Sequence, residues 1–489
     1  MRKHRIFAVL FLLLAFNITG DSEESAKKVP IGFTESFKAK DLVIKKITAH
    51  KENINVIFTI LYESDKDRFL SFFNPPDGDK LLYFDREGIK RNKTSVTFSI
   101  AQEEFTDISE ITMRFSDNDN PEQDVNFLYL ATFEKDVMDF LGMGEKPTLS
   151  KTREKTFNSV EEYQDVRWGD LTQTKQDLSF PLISTLWFNL DTKFGEHSDI
   201  SKSVLEKGKN PGLGIRALHK SGITGKGVNV AIIDQNLCLN HPEFKGKVVQ
   251  YKDVGCNQPP NRGSMHAPGV MSLLAGNSIG TAPGVKVYFA AAPSWTGDAK
   301  YEADALEWII EVNQSLPQQS KIKVVSTSAA PSGKGSPFTK NNELWDIAVD
   351  KAKKQGMLIL DCTQHNGIIG PCYYDINDPD DLDKCRVGWP GRSNSSVGFK
   401  NLIYAPCSLR TTAEEYIDGY PSFQYTGRGG LSWSIPYVAG VCALGWQIKP
   451  DLSADKIVKL LFETAHTTSN GHKIINPLAF VDAVETLSR

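Results

Sequence analysis

The feature that most constrains the fold is an alternation of short apolar runs with helical patterns, which starts near residue 210. Four runs have the length and β-branched content of buried strands: residues 228–233, 285–291, 322–326 and 357–360. Between them, residues 303–312 and 344–354 repeat apolar positions with a helical period. Strands that alternate with helices predict an α/β fold, a parallel sheet flanked by helices. Active sites in such sheets collect at the carboxyl ends of the strands.

The preceding part of the chain has a different pattern. Four segments alternate apolar and polar residues with the period of a half-buried strand: residues 54–61, 95–100, 110–116 and 126–133. Turn-forming residues separate them, so residues 21–140 predict a small all-β, sandwich-like domain. Residues 141–205 have mixed charge and weak periodicity, which predicts a connecting segment with some helix. The α/β domain then covers residues 206–489.

The first twenty residues have the layout of a secretory signal peptide. Basic residues at 2, 3 and 5 precede an apolar run of about eleven residues, and small or polar residues follow it. A membrane anchor would need an apolar run of ~20 residues. The chain is therefore expected to be exported, to be secreted or associated with the cell surface, and to have no membrane span once residues 1–20 are removed. Its net charge of -4 predicts no nucleic-acid partner.

All seven cysteines lie from residue 238 onward, and an exported chain can oxidise them. Cys372 and Cys385 flank an acidic, turn-rich loop, which suggests a local disulfide. Cys442 lies in an apolar stretch and is predicted to be a buried thiol. None of the spacings is that of a zinc site, so no transition metal is expected.

Three residues in the α/β domain are candidates for catalysis. Asp234 directly follows the apolar run 228–233, where a carboxylate is costly unless paired, and it is a candidate to orient a histidine or alternatively a turn residue. His266 stands among small residues before an apolar segment of helical length, although a solitary histidine is more often structural. Ser432 precedes a small-residue-rich apolar helix, whose free N–H groups suit an oxyanion.

The segment around the serine is similar to the motif GTSMAxPHVAG of the subtilisin-like serine proteases. Six residues occupy matching positions: Gly430, Ser432, Pro436, Val438, Ala439 and Gly440. The order Asp, His, Ser also matches, with separations of 266 - 234 = 32 and 432 - 266 = 166 residues, against about 32 and about 157 in subtilisin. Residues 210–489 therefore resemble a divergent member of the subtilase family.

This resemblance implies a serine endopeptidase that cleaves polypeptides through an acyl-enzyme and needs no cofactor for its chemistry. Ser432 would be the nucleophile, His266 its general base, and Asp234 would hold the imidazole tautomer. The oxyanion donor of the family falls in the segment 356–367. Ungapped counting assigns it to His365 and a shift of one residue assigns it to Asn366, which we favour because an amide donates at every pH.

The stretch 324–333 is similar to the strand on which the family lays its extended substrate. Ser328, Ala329 and Ala330 are the expected substrate-binding residues, and backbone pairing to this edge would hold the peptide. The two alanines replace the glycines usual in the family, which predicts a narrower primary pocket. Calcium sites are also frequent in the family, but solvated acidic loops are commoner, so residues 375–383 are assigned no metal ligands.

Several neighbours of the three candidate residues depart from the family pattern. Gln235 and Asn236 follow the aspartate, Ala267 follows the histidine and Trp433 follows the serine, where the family usually has other residues. This drift supports an alternative function: a weakly active or inactive subtilase-like domain that binds or regulates other proteins. The β-rich N-terminal domain is either a prosegment or a retained binding module. Nothing in the sequence predicts the oligomeric state.

Overall fold

The computed structural model describes residues 28–35, 42–52, 55–74, 80–101, 110–116, 127–132, 137, 141, 155–258, 263–363, 367–392, 401–417 and 420–487. The chain forms two compact units, Met1–Lys146 and Pro147–Arg489. The first contains β-strands throughout most of its described length, and the second contains the predicted parallel sheet.

The N-terminal unit is an antiparallel β-structure. Its strands are β1 (Val29–Glu35), β2 (Leu42–Glu52), β3 (Asn55–Ser64), β4 (Arg68–Asn74), β5 (Lys80–Ile89), β6 (Ser95–Ala101), β7 (Glu110–Ser116) and β8 (Phe127–Thr132). They follow the order β5-β4-β7-β8-β1-β2-β3-β6. The first half of β1 pairs with β2 and the second half pairs with β8, so this strand is shared by two layers. Phe58 and Phe98 stack within the apolar core. The prediction of a small all-β, sandwich-like domain is confirmed.

The C-terminal unit begins well before the predicted α/β domain. Its first described elements are β9 (Lys155–Thr156), β10 (Gly169–Asp170), α1 (Phe180–Ile183), β11 (Trp187–Asn189), α2 (Ser198–Gly208) and α3 (Ile215–Lys220). These elements enclose an apolar cluster of their own that includes Phe188 and reaches Tyr425 near the other end of the chain. The segment that the sequence suggested was a connection is thus part of this unit, because its buried aromatic residues pack against distant strands.

The remaining elements alternate as the sequence predicts. They are β12 (Asn229–Asp234), β13 (Val248–Asp253), α4 (Ala267–Ala275), β14 (Lys286–Ala291), α5 (Lys300–Ser315), β15 (Ile322–Thr327), α6 (Asn342–Lys354), β16 (Leu358–Leu360), β17 (Ile369–Tyr373), β18 (Arg386–Val387), β19 (Ile403–Pro406), β20 (Arg410–Ile417), β21 (Tyr420–Thr426), α7 (Leu431–Ile448), α8 (Ala454–Glu463), β22 (His466–Thr467), β23 (Lys473–Ile474) and α9 (Pro477–Thr486).

The central sheet is parallel and has the order β13-β14-β12-β15-β16. Strand β12 is buried along its whole length, and its side chains alternate between two apolar layers. Val230 and Ile232 face the layer that contains α4 and α7, whereas Ala231 and Ile233 face the layer that contains α5 and α6. Helices therefore cover both faces of the sheet, and the predicted α/β class is confirmed.

The unit has three further sheets among its described residues, of which the smallest pairs β9 with β10. Of the other two, one has the order β18-β17-β19-β23-β22, and the other is antiparallel with the order β11-β21-β20. All seven cysteines are described and all are free thiols. The expected disulfide between Cys372 and Cys385 is therefore wrong, because both side chains pack as separate thiols in the apolar core. Cys442 is a buried thiol as predicted. No described helix is both long enough and apolar enough to cross a bilayer.

Candidate active site

Asp234 is the last residue of β12, at the carboxyl end of the central strand. The chain leaves β12 toward β13 and β14 on one side and later returns to β15 on the other, so β12 lies at the switch point of the sheet. The Asp234 side chain is only 3% exposed. Its Oδ1 accepts a hydrogen bond from the backbone N–H of Gln235 at 2.8 Å. The strand therefore delivers a buried carboxylate to the position where α/β sheets bind ligands.

His266 is the residue immediately before α4. The Ser264 hydroxyl accepts hydrogen bonds from the N–H groups of His266 and Ala267, at 3.1 and 2.9 Å, and so caps the start of this helix. The N–H of Ser264 donates in turn to the carbonyl of Asn236, at 2.8 Å. The loop that carries the histidine is thus tied to the loop that follows Asp234.

The structure brings the histidine and the aspartate together. His266 Nδ1 lies 2.8 Å from Asp234 Oδ1 and 3.1 Å from Oδ2. An imidazole held in this way carries its proton on Nδ1 and leaves Nε2 as the free base. Burial lowers the pKa of His266, but the charge of Asp234 and the hydrogen bond to it outweigh that effect, so the pKa is raised above the usual 6.5.

Ser432 lies in the first turn of α7 and is linked to Ser328 by two hydrogen bonds. The Ser328 hydroxyl donates to the carbonyl of Ser432 at 2.9 Å, and the Ser432 hydroxyl donates to the carbonyl of Ser328 at 3.3 Å. The first bond is available because Pro436, four residues further along the helix, has no N–H to donate to that carbonyl. Pro436 therefore leaves the start of α7 free to bond to the end of β15.

Among the described residues, no hydrogen bond joins His266 to Ser432, because the serine hydroxyl is directed to the carbonyl of Ser328 instead. The two residues are neighbours nevertheless, since the side chain that follows Ser432 packs directly on the imidazole. Catalytic hydrogen bonds in enzymes without substrate are often long or unformed and tighten when the substrate binds. A rotation of the serine hydroxyl away from Ser328 is the change that such a bond would require.

Trp433 forms the wall behind the histidine. Its indole stacks on the imidazole of His266, with ring centroids 5.5 Å apart and an interplanar angle of 24°. Two glycines make room for the indole: a Cβ at Gly269 would lie 2.8 Å from its ring, and one at Gly429 would lie 2.1 Å from it. The indole Nε1 is buried and has no partner in the described part of the chain. The sequence marked Trp433 only as a departure from the family, and the stack explains where its bulk goes.

The two oxyanion candidates, His365 and Asn366, lie outside the described residues. Cys362 precedes them by a few residues, and its thiol interacts with the Ser432 hydroxyl. Burial raises the pKa of the Cys362 thiol, and the adjacent Ser432 hydroxyl opposes this in part. The prediction for the oxyanion donor stays a prediction.

The substrate-binding candidates lie just beyond β15. Ser328 is nearly buried, while Ala329 and Ala330 are half-buried. The carbonyl of Ala329 accepts a hydrogen bond from the N–H of Cys362 at 2.8 Å, and the carbonyl of Ala330 accepts one from the Ser336 hydroxyl at 2.6 Å. This segment is therefore held in place beside the candidate triad.

A cavity of about 100 Å³ opens beside the histidine and the aspartate. Its lining consists of Ile233, Asp234, Gln235, His266, Ser294, Glu302, Ser328 and Ala329. Gln235 Nε2 donates to the Ser294 hydroxyl at 3.0 Å across one side of it. Ser294 and Glu302 are lining residues that sequence reasoning missed, and Glu302 lies in the first turn of α5. Its position four residues before Leu306, on the buried face of the helix, was the available signal.

No cluster of His, Cys, Asp or Glu in the described ranges has the arrangement of a metal site. The acidic loop at residues 375–383 is internally bonded: Lys384 pairs with Asp378 at 2.5 Å, and Asp381 accepts the backbone N–H of Asp383 at 3.0 Å. These bonds pair part of the negative charge of the loop within the loop and its neighbour Lys384.

Comparison with known proteins identifies the family. The model of the subtilase family, peptidase S8, matches residues 225–478, which is 254 of the 489 residues. The chain is 28% identical over 244 residues to Subtilisin NAT of Bacillus subtilis subsp. natto, covering 47% of this chain and 58% of that protein. It is 27% identical over 270 residues to M-protease of Shouchella clausii, covering 52% and 63%. The chain belongs to the subtilase family.

Those curated relatives are matched over less than two thirds of their own length. A solved structure, fervidolysin from Fervidobacterium pennivorans, described as a keratinolytic enzyme related to subtilisin, is 18% identical with a TM-score of 0.42, covering 57% of this chain and 47% of that one. The assignment of the fold depends on the family match and the strand order rather than on this likeness. Subtilases are serine-type peptidases whose chemistry needs no cofactor.

Proposed function

We propose that this protein is an exported serine endopeptidase in which Ser432, His266 and Asp234 form the catalytic triad. The observation that supports it most is the buried pair of His266 and Asp234, bonded at 2.8 Å beside the start of the helix that carries Ser432. Burial and a hydrogen-bonded carboxylate are what a catalytic imidazole needs to hold one tautomer. A polypeptide is the substrate class that the family implies.

In the proposed reaction, Nε2 of His266 accepts the proton of the Ser432 hydroxyl as the serine oxygen attacks the scissile carbonyl carbon. The proton then passes from the imidazolium to the departing amine, and the acyl-enzyme remains. Water repeats the sequence with the same base and releases the carboxylic acid. Throughout, Asp234 stabilises the imidazolium without itself taking up the proton. The oxyanion is assigned to N–H donors at the start of α7 together with Asn366 or His365.

A covalent serine probe such as a fluorophosphonate tests the proposal. We expect the wild type to be labelled and to cleave an unstructured protein such as casein, and Ser432→Ala to do neither. Ser315→Ala removes an exposed helical serine and is the matched control, with labelling expected to be unchanged. A folded wild type that is neither labelled nor able to cleave would reject the proposal. That result would favour the alternative, a subtilase-like domain that only binds or regulates other proteins.

Export and processing form a separate part of the proposal. The basic and apolar pattern of residues 1–20 supports a cleaved signal peptide. N-terminal sequencing of the product from the culture medium tests it: a start near residue 21 means that the β-rich domain is retained, and a start near residue 200 means that it is a removed prosegment. A product that stays in the cells with residues 1–20 attached would contradict export.

A further inference from the structure

The side chain of Glu302 is an unusual component of the cavity beside His266. The residue is 1% exposed, and its Oε2 has no hydrogen-bond partner among the described residues. A buried carboxyl oxygen without a partner is costly, whether the group is ionised or neutral. Burial raises the pKa of Glu302 to about 8, although its own backbone N–H opposes the shift. The group is therefore kept beside the candidate triad at the expense of stability.

The two charged residues that act on this carboxyl, Asp234 and Asp298, are both acidic. Asp234 and Asp298 both act on Glu302 as negative charges, and both raise its pKa further. Asp234 also lines the cavity itself, and its partner His266 is neutral when it acts as a base. The cavity is thus a small space lined by two acidic side chains, Asp234 and Glu302, and partly buried charges of this kind attract a cation more strongly than charges in water do.

The cavity also lies where a substrate would pass. Ser328 and Ala329, two of the expected substrate-binding residues, form one side of it, and His266 forms another. A peptide laid along residues 328–330 with its scissile bond at Ser432 would place a nearby side chain over the opening. About 100 Å³ holds the end of a slender side chain, such as an ammonium group with its last methylenes, but not a large ring.

We infer that this cavity is a specificity pocket for a basic side chain of the polypeptide substrate, with Glu302 as the residue that recognises it. The inference deepens the proposed function and rests on it. The basic group supplies the donor that Oε2 lacks, and its charge is balanced by the carboxylate of Glu302. A neutral apolar side chain of the same length fills the space but leaves the carboxyl unpaired.

The test uses peptides that carry lysine at one position and norleucine, a neutral side chain of similar length, in the otherwise identical sequence. The pair is moved one position at a time through the residues that precede the scissile bond. We expect wild-type kcat/KM to favour lysine at one position by about 10- to 100-fold, the worth of one charge-assisted hydrogen bond. Arginine and glutamine at that position separate the effect of charge from that of hydrogen bonding.

Glu302→Gln keeps the shape of the carboxyl group and removes its charge, and we expect it to lose the preference for lysine. Glu311→Gln changes the same type of residue on the exposed face of the same helix and is expected to keep the preference. If Glu302→Gln does not fold, the wild-type comparison still decides. Equal or better cleavage of the norleucine peptide at every position overturns the inference, as does an unchanged preference in folded Glu302→Gln.

Binding to Ser432→Ala separates this inference from the proposed function. Calorimetric titration of that variant with the same peptide pairs measures the preference without turnover. Tighter binding of the lysine peptides by Ser432→Ala, together with a wild type that cleaves nothing, would retain the pocket and reject the peptidase. Cleavage and labelling without any discrimination would retain the peptidase and reject the pocket.

Discussion

Two adjacent glycines before the candidate nucleophile should differ sharply in how they tolerate alanine. A Cβ on Gly429 would lie 1.9 Å from the carbonyl oxygen of Cys407 and 2.1 Å from the indole of Trp433, distances that no packed atoms occupy. A Cβ on Gly430 would have Ser432 N, at 3.8 Å, as its nearest contact. The φ of Gly430 is -112°, which any residue can adopt. The first substitution must displace backbone and indole, whereas the second needs no displacement.

These distances set the expected magnitudes. Overpacking usually costs about 1 to 3 kcal/mol, and Gly429→Ala should reach or exceed the upper end because the obstacle includes a backbone carbonyl, which cannot rotate away. Gly430→Ala should cost about 1 kcal/mol or less, the difference between glycine and alanine at a helix N-cap. Gly269→Ala, whose Cβ would meet only the far edge of the Trp433 ring at 2.8 Å, should fall between the two.

Urea unfolding followed by tryptophan fluorescence measures these differences for one unit of the intact chain. All eight tryptophans lie after residue 146, so the signal reports the C-terminal unit alone. We expect a large loss of stability for Gly429→Ala together with a loss of serine labelling, because the displaced indole no longer stacks on His266. Equal midpoints for Gly429→Ala and Gly430→Ala would refute the packing described around Trp433.

Three further substitutions test the site and its surroundings. If Asp234 is the triad aspartate as proposed, Asp234→Asn should lower kcat by about 10⁴, the loss that this substitution causes in an established triad. It also leaves burial alone acting on the pKa of His266, so the acid limb of the pH profile of kcat/KM should move to lower pH; a limb that stays in place would contradict the charge pairing. Ser328→Ala leaves the carbonyl of Ser432 without its donor and should cost about 1 kcal/mol in urea unfolding, whereas an unchanged midpoint would mean that this bond is dispensable. Burial raises the pKa of Glu414 to about 7. The folded unit therefore binds the proton of this carboxyl more tightly than the unfolded chain does, and the unit loses stability as pH rises from about 4.5 to 7. Glu414→Gln should remove about 3 kcal/mol of that pH dependence, and a wild-type stability that rises over this range would count against the assignment.

The sequence predicted the parts of the fold that depend on local pattern. The apolar run at residues 228–233 becomes strand β12 with Asp234 at its end, and the helical pattern at 344–354 becomes α6. Both are local signals. A strand that is buried on both faces is a continuous run of apolar residues, and a helix that packs on the sheet has apolar residues at a helical period. The serine motif, together with the order and spacing of Asp234, His266 and Ser432, predicted the subtilase family, which the family match confirms.

What the sequence did not predict depends on contacts between distant residues. Strand β11 has three residues and pairs with β21, more than two hundred positions later, so no local period could reveal it. Ser328 and Ser432 bond to each other only because β15 ends beside the start of α7. The burial of Glu302 likewise depends on which face of α5 meets the sheet, and a glutamate within a helical pattern is ordinarily exposed.

Strand β11 also limits how this polypeptide can be processed. Trp187–Asn189 is an edge strand on β21, and Phe188 packs against Phe194 and Tyr425 in a shared apolar cluster. A proteolytic cut near residue 200 would fall within α2 and separate β11 from the rest of the chain without removing the contacts that hold it. The product would be a nicked, two-chain protein whose smaller fragment still completes the fold of the C-terminal unit, rather than a C-terminal fragment that folds without it.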